Sequence, residues 1–491
     1  MKRTLTLFLA ALLAVSAASC GSTGTPTDTT PSDTSAADST TAADTLKSGV
    51  PEELDLKDET VSIWYTTKAS AVSETFVDIA GELTGDILDD AIFNANKAVE
   101  ERLNVKLDYY NSGTPTSETG SEVRKLLLAD DTTYDLYHVV QWNAAELAAE
   151  GLYLNMKNAP YLSLDEAWWD GEYMKEMTIG EDKLYALVGD YAVDRTRCLG
   201  CVYYNKAMYE DFYGDPDGLY DKVLDGSWTW EYLREVCSQV WSDLNSNGIA
   251  DRDDRLGSCI NDYNNLDTFY YGTGVSPTER DKNDAPVLTV NSEHSIDVIS
   301  KLYEIVFETE GVYFSGPQYE DDVKNREKFE EGTSMFLYGF FYTSEAMREM
   351  TSDFGIVPLP KFNEEQDDYY SVVHDIMRIM VVPYNCRKVD AVSAVMEELS
   401  FEGYQNVLPG YYDVLMKNKY ARDDVSAEMI DIIRDSCTTD IAYIYGFNSM
   451  GYMQRKVIQS KNNNFASVYE TYLPAAEEKI DTLVEQFNSL D

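Results

Sequence analysis

The chain has 491 residues, which at roughly 150 residues per domain corresponds to about three domains or two large lobes. Its 39 Lys and Arg residues stand against 87 Asp and Glu residues, so the formal net charge is −48. A field of that sign repels phosphate groups, which argues against DNA, RNA and anionic membrane surfaces as partners. Hydrophobic residues make up 44% of the chain, as in ordinary globular proteins, so we expect the acidic residues to cover a folded body.

Residues 1–19 have the layout of an export signal. Lys2 and Arg3 precede an uncharged apolar run over 5–15, and small residues occupy 16–19. The run is too short to span a bilayer as a mature helix. Residues 17–20, Ala-Ala-Ser-Cys, resemble the lipobox of bacterial lipoproteins, although Ala17 stands where a large apolar residue is usual. The resemblance implies diacylation of Cys20 and a position at the outer face of the cytoplasmic membrane; the alternative is ordinary secretion with an incidental cysteine.

Residues 20–50 are predicted to be a lipidated cysteine followed by a disordered linker. From 21 to 45 every residue is Gly, Ser, Thr, Pro, Asp or Ala. This composition cannot bury enough apolar surface to fold, so it predicts a solvated tether between the membrane and the folded body.

Cysteine and histidine do not indicate a metal or redox centre. Cys198 and Cys201 have the spacing of a redox motif, but they lie in a strand-like run without the adjoining helix start that lowers the pKa of a thiol, so we expect free or structural thiols. Six cysteines follow Cys20, and they would allow three disulfides in an oxidising compartment without fixing their pairing. The three histidines lie far apart, without the clustered ligands of a zinc site. We therefore expect no catalytic metal.

The first part of the folded body has an alternating strand and helix pattern. Strands are predicted at 61–65, 105–109 and 134–140, with helices at 87–103 and 118–128 between them. This βαβαβ order is typical of a parallel sheet in an α/β fold. Helices dominate the remainder, and the clearest cover 230–241, 296–307, 390–398, 425–433 and 475–487.

Several stretches after residue 60 carry a family resemblance. They include FNANKAVEERLNVKL, YDLYHVV, CVYYNKAMYEDFYG, DGSWTWEYLREV and PGYYDVLMKNKYARDD. In this order and spacing they resemble the family-1 extracellular solute-binding proteins of bacterial ABC importers, which mostly serve sugars and oligosaccharides. The resemblance extends from about residue 60 to the C-terminus.

The resemblance implies a two-lobed α/β fold of the periplasmic-binding-protein type II, a Venus flytrap, with a helix-rich C-terminal part. It implies a first lobe of residues 51–193 and 370–400, and a second lobe of residues 194–369 and 401–491. The implied function is capture of a neutral sugar or oligosaccharide between the lobes and delivery to an ABC permease, without catalysis.

A calcium-type loop lies within the second lobe, at residues 243–254. Oxygen-bearing side chains recur at loop positions one, three, five, nine and twelve, and Gly248 at position six allows the sharp turn. The expected ligands are Asp243, Asn245, Asn247, Asp251 and Asp254, with the backbone carbonyl of Ile249. The position-twelve Asp in place of Glu resembles the loops of dockerins and of many solute-binding proteins. The alternative is an Asp and Asn turn without metal; if calcium binds, its role is structural.

Candidate solute contacts are aromatic and planar polar residues at predicted strand ends and lobe crossings. Aromatic faces stack on the C–H surfaces of sugars, and planar polar groups bind hydroxyls. The run after residue 334 also resembles the aromatic stretch that lines the second lobe of sugar-binding relatives. The candidates are Trp64, Tyr65, Gln141, Trp142, Asp190, Tyr191, Tyr338, Phe340, Tyr342, His374 and Asp375.

Two other classes of function compete with solute binding. A surface-anchored glycoside hydrolase would need a carboxylate pair about 5 to 9.5 Å apart across the sugar, and spacing alone nominates none among the acidic residues. No nucleophile-elbow, zinc-protease, Walker A or dinucleotide motif is present in the sequence. A calcium-dependent adhesion module of the dockerin kind would call for a second copy of the loop.

Overall fold

The computed structural model describes residues 46–71, 76–316, 318–415 and 424–490. The predicted export signal, Cys20 and most of the linker lie outside the described residues. Within them, no helix is long and apolar enough to cross a membrane.

A four-stranded sheet forms the centre of the first lobe. Its order is β12-β3-β1-β2, with β1 parallel to both β2 and β3 and β12 antiparallel to β3. The strands are β1 Glu59–Tyr65, β2 Val105–Asn111, β3 Leu136–Val140 and β12 Arg378–Val381. The connecting helices are α1 Ile87–Leu103, α2 Thr119–Leu128 and α3 Gln141–Ala149. The predicted βαβαβ order is confirmed.

Helix α1 shows how local sequence sets an element. The Asp86 side chain accepts hydrogen bonds from the backbone N–H groups of Leu88 and Asp89, which caps the helix start. Asn104 ends the helix with φ of 48°, a conformation that Asn tolerates better than most residues. The apolar residues buried against the sheet recur every three or four positions: Leu88, Ile92, Ala95, Val99 and Leu103.

A five-stranded sheet of order β10-β4-β9-β5-β8 forms the centre of the second lobe. β5 is parallel to β8 and β9, whereas β4 is antiparallel to β9 and β10. The strands are β4 Gly200–Asn205, β5 Leu256–Ile260, β8 Val312–Phe314, β9 Ser334–Phe340 and β10 Phe354–Val357. The helices around it are α6 Lys206–Tyr213, α7 Gly218–Leu224, α8 Trp230–Val240, α9 Asn264–Tyr271, α10 Glu293–Glu308, α11 Gln318–Glu330 and α12 Thr343–Ala346. A small hairpin, β6 Thr278–Arg280 with β7 Pro286–Leu288, completes it.

The segments that connect the lobes lie side by side. The first crossing contains α5 Asp194–Arg197, after the short helix α4 Gly171–Glu176. The return crossing contains β11 Ser371–Val372, which pairs in parallel with β13 Cys437–Thr438. Leu199 forms an antiparallel bridge with Val373, so the first crossing joins the same hydrogen-bonded set.

The C-terminal helices pack on both lobes. They are α13 Val389–Glu402, α14 Leu408–Leu415, α15 Asp424–Asp435, α16 Ile441–Tyr445, α17 Met453–Gln459 and α18 Phe465–Ser489. α13 and α14 pack on α1, α15 packs on β10, α16 on α3, and α17 on α9 and α10.

This packing differs from the predicted boundary, which placed everything after residue 400 in the second lobe. A π-helical turn, Gly403–Val407, carries α13 directly into α14 and keeps both on the first lobe. Gly403 allows this close approach, because a Cβ there would lie 1.7 Å from the carbonyl oxygen of Asp190.

Candidate functional site

A cavity of about 260 Å³ opens in the second lobe where two parallel strands end. β5 and β9 are parallel, so the residues that follow Ile260 and Phe340 meet at one edge of the sheet. The cavity lies between these strand ends, the start of α9 and one face of α11. Its polar and aromatic lining includes Asn264, Asn265, Asp322, Asn325, Phe340 and Tyr342.

Hydrogen bonds between lining residues and the neighbouring Asn261 and Ser315 fix the polar wall. The side-chain amide of Asn261 donates to Asn264 Oδ1 at 2.7 Å and to Asp322 Oδ1 at 2.5 Å. Asn265 Oδ1 accepts from the Asn261 backbone N–H at 3.0 Å. Asn325 is buried, its amide nitrogen donates to Ser315, and its Oδ1 has no hydrogen-bond partner among the described residues. Oriented polar groups with remaining capacity suit hydroxyl-bearing ligands.

Asp322 places a carboxylate in this wall. Burial raises its pKa to about 6, and the nearby His374 opposes that shift. The carboxylate is therefore mostly ionised at neutral pH, where it accepts hydrogen bonds and repels anions.

The aromatic wall consists of Phe340 and Tyr342. Their ring planes differ by 14° and their centroids lie 5.6 Å apart. The His374 ring lies 4.3 Å from Phe340, and the Arg197 guanidinium lies 5.8 Å from the Tyr342 ring. The cavity thus combines flat aromatic surface with planar polar groups.

The return crossing supports the cavity through a charged network. His374 Nδ1 lies 2.8 Å from Asp375 Oδ1, and the Tyr263 hydroxyl donates to Asp375 Oδ2 at 3.0 Å. Burial alone would raise the pKa of Asp375, but His374 and then Arg455 hold it below its ordinary value. This ionised carboxylate joins the crossing, through Tyr263, to the start of α9 in the second lobe.

Comparisons with solved structures identify the architecture. The chain resembles the maltose/maltodextrin-binding domain MalE from Bdellovibrio bacteriovorus bound to maltotriose, at 13% identity and a TM-score of 0.53, over 86% of this chain and 100% of that one. It resembles an ABC transporter solute-binding protein from Thermotoga lettingae bound with α-D-tagatose at 15% identity and a TM-score of 0.54, over 87% and 100% of the two chains. UgpB from Mycobacterium tuberculosis with glycerophosphocholine matches at 12% identity and a TM-score of 0.54, over 87% and 99%.

The chain has the solute-binding-protein fold. This confirms the fold class expected from the sequence. No protein-family model matches the sequence, and no curated protein matches it at a significant score.

About half of the predicted solute contacts lie at or beside the second-lobe cavity of this solute-binding-protein fold. Tyr338, Phe340 and Tyr342 line the cavity, and His374 and Asp375 adjoin it. Gln141 of the first lobe also reaches this cluster, because its side-chain amide donates to the His374 carbonyl oxygen at 3.2 Å.

The structure does not bring the other first-lobe candidates to the cavity. Trp64 has no exposed surface and packs 6.0 Å from the Tyr137 ring, while the Tyr65 hydroxyl donates to Asp78 at 2.6 Å. Trp142 is half-buried against the first-lobe core.

The two candidates at the first crossing also lie elsewhere. The Tyr191 hydroxyl donates to the Leu187 carbonyl oxygen at 2.7 Å and accepts from the Met380 backbone N–H at 2.8 Å. Asp190 lines a separate cavity.

Sequence reasoning missed three polar residues of the cavity wall. Asn264 lies shortly after the end of β5, and a polar residue at such a position could have been identified as a candidate solute contact. Asp322 and Asn325 lie on α11, where three of the four buried residues that the structure describes, Asp321, Asn325 and Lys328, are polar and only Phe329 is apolar. Hydrophobic periodicity gives no signal for such a buried polar face.

The calcium-type loop forms the expected turn. The Gly248 N–H donates to Asp243 Oδ2 at 2.8 Å, with Gly248 at φ of 80°. Asp254 is buried, and its carboxylate accepts from the N–H groups of Leu244 at 2.9 Å and Asp251 at 3.1 Å. Among the described residues, no group of three or more His, Cys, Asp or Glu side chains could hold a metal ion. A cation here would rely on Asn amide and backbone carbonyl oxygens beside the carboxylates.

The six cysteines in the described part of the chain are free thiols. Cys198, Cys201, Cys237 and Cys259 are buried. Burial raises the pKa of Cys201 to about 12, so this thiol is unreactive near neutral pH.

Proposed function

We propose that this chain is the solute-binding component of an ABC importer and that it holds a neutral sugar or oligosaccharide at the second-lobe cavity. The observation that carries the proposal is that the Phe340 and Tyr342 rings line the same cavity as the polar side chains of Asn264, Asp322 and Asn325. The fold supports the class of function, and several structures that share it are described with bound sugars.

The charge in the cavity favours a neutral solute. Asp322 is mostly ionised at neutral pH and would repel a phosphate or carboxylate. The one cationic side chain of the lining, Arg326, forms an ion pair with Glu330, with 3.4 Å between Nε and the carboxylate, although this Nε makes no hydrogen bond among the described residues. A glycerophosphodiester is therefore a weaker candidate than a sugar.

A thermal-shift screen with calorimetry tests the solute. The panel contains mono- and oligosaccharides, amino acids, peptides and glycerophosphocholine. A ligand at 100 times its Kd should stabilise the protein by about 2.7 kcal/mol. Selective stabilisation by one glycan that is recovered intact supports the proposal; cleavage of the glycan or a response only to amino acids would contradict it.

Two substitutions should weaken binding of that glycan. Asp322→Asn removes a charged hydrogen-bond acceptor worth about 1.5–3 kcal/mol, which corresponds to roughly a 10- to 100-fold rise in Kd. Phe340→Ala should have an effect of similar size by removing the stacking face. Glu327→Gln on an exposed position of α11 is the matched control and should leave Kd unchanged.

We propose that diacylated Cys20 anchors the protein at the outer face of the cytoplasmic membrane, from which it delivers solute to the permease. The apolar run before Cys20 and the polar tether after it support this arrangement. Metabolic labelling with a radioactive fatty acid should label the wild type and not Cys20→Ala, and the variant should appear in the soluble fraction. Equal labelling of both proteins would contradict lipidation at this residue.

We propose that Ca²⁺ binds the loop at 243–254 as a structural clamp. The donor set is all oxygen, as calcium prefers, and Lys328 donates to the carbonyl oxygens of Arg252 at 2.9 Å and Asp254 at 2.5 Å, which fastens the loop to α11. EDTA should lower the melting temperature, and calcium should restore it. Asp243→Ala should abolish the response, whereas Asp253→Asn, outside the expected ligand set, should retain it. An unchanged melting temperature in EDTA would contradict the proposal that calcium stabilises the fold.

A further inference from the structure

A second cavity, of about 900 Å³, lies beside the lobe crossings. It shares no lining residue with the solute cavity. Its walls come from the first crossing, from α14 with the π-helical turn before it, and from the end of α15 with β13. The lining that matters for its chemistry is Trp169, Asp190, Arg195, Tyr404, Tyr412 and Arg434.

Asp190 contributes a buried carboxylate without a bonded partner. The residue is 4% exposed, and no hydrogen bond or ion pair joins its side chain to any residue that the structure describes. Burial raises its pKa to about 7; Arg195 opposes the shift and Asp170 adds to it. A desolvated carboxylate that lines a cavity is stabilised by a cation within it.

Both arginines of the wall have an acidic partner. Arg195 Nη1 lies 3.1 Å from Asp170 Oδ2, although the buried Nε of Arg195 has no hydrogen-bond partner among the described residues, and Arg434 lies 2.9 Å from Asp431 and 2.8 Å from Asp435. Glu172, Asp413 and Cys437 complete the titratable groups of the wall. The lining carries five carboxyl groups, on Asp170, Glu172, Asp190, Asp413 and Asp435, against two arginines, so it is negative overall.

Aromatic rings complete a site for a cation. The Arg434 guanidinium lies 5.7 Å from the Tyr412 ring, so this wall already accommodates a positive charge on an aromatic face. Tyr404 is half-buried and presents a second ring to the cavity, and Trp169 lies beside it.

We propose that this cavity binds a small organic cation that carries an ammonium group, with the Asp190 carboxylate as its counter-charge and the Tyr404 ring as its apolar contact. The site is separate from the solute cavity, so a failure of this proposal would not contradict the proposed function, and the reverse also holds.

Calorimetry on the purified protein with putrescine, choline and uncharged 1,4-butanediol tests the proposal at constant ionic strength. Putrescine or choline should bind and butanediol should not. Asp190→Asn should weaken binding of the cation at least tenfold, and Tyr404→Ala should weaken it as well. Asp211→Asn, which removes an exposed carboxylate of α6, is the charge-matched control and should bind like wild type.

The pH dependence of the affinity distinguishes binding to the Asp190 carboxylate from nonspecific attraction of a cation to an acidic protein. With a pKa of about 7 for Asp190, its ionised fraction and hence the affinity should rise about tenfold from pH 6 to pH 8. Asp190→Asn should remove that rise, and circular dichroism should show that the variant is folded. Binding that is equal in Asp190→Asn and wild type, or the failure of both putrescine and choline to bind, would overturn the proposal.

Discussion

Arg455→Met is expected to lower the free energy of unfolding by about 3–5 kcal/mol, because it leaves a buried carboxylate without its partner. Arg455 and Asp267 are 6% and 1% exposed, and the guanidinium binds both carboxylate oxygens, with Nε 2.6 Å from Oδ1. The rings of Tyr263 and Tyr452 lie 3.6 and 4.2 Å from the guanidinium. The pair joins α17 to α9, whose first two residues line the solute cavity.

Urea unfolding at several pH values measures the effect. Burial already raises the pKa of Asp267, and Arg455 opposes that shift. Loss of Arg455 should raise this pKa further, so the variant's deficit should be largest at neutral pH and should shrink toward acid pH as Asp267 becomes protonated. The double variant Arg455→Met with Asp267→Asn should recover part of the lost stability.

Arg234→Met provides the surface comparison. Arg234 is 33% exposed and lies 3.6 Å from Glu231 and 3.8 Å from Glu304, so its loss should cost less than about 1 kcal/mol. Equal costs for Arg455→Met and Arg234→Met would contradict the account of the buried pair.

Glu397→Ala is expected to cost about 3 kcal/mol or more. The carboxylate of this fully buried residue of α13 accepts four hydrogen bonds. The donors are the indole N–H groups of Trp168 at 3.3 Å and Trp169 at 2.8 Å, and the backbone N–H groups of Gly49 and Ser163, both at 3.0 Å. Removing the acceptor leaves these donors buried, at about 1–3 kcal/mol for each that finds no water.

Tryptophan fluorescence during urea unfolding reports both the stability and the indole environment. Glu397→Gln should cost less than Glu397→Ala, since its amide oxygen can still accept. Glu402→Gln, at the partly exposed end of the same helix, is the control and should stay within about 0.5 kcal/mol of wild type. A Glu397→Ala protein as stable as this control would refute the assigned role.

The local elements of the first lobe follow from the sequence. The four-three-four-four spacing of apolar residues in α1 and the compact apolar strands give the βαβαβ order, because each signal depends on residues close along the chain. The aromatic run from Tyr338 to Tyr342, which the structure places at the end of β9, was expected from the family resemblance. The family resemblance added the two-lobed arrangement.

Tertiary structure decided which polar groups are buried and which candidates share a site. Asp267 and Arg455 are separated by 188 positions, and the face of α11 that lines the cavity is polar, so no local pattern predicts either. Trp64 is fully buried in the first-lobe core, where its ring packs near that of Tyr137. The sequence alone determined the strands and helices of the first lobe, and its family resemblance indicated the aromatic wall. Contacts between distant segments decided the polar wall, the buried ion pair and the second cavity, because burial stabilises a polar group only where the fold supplies its partner.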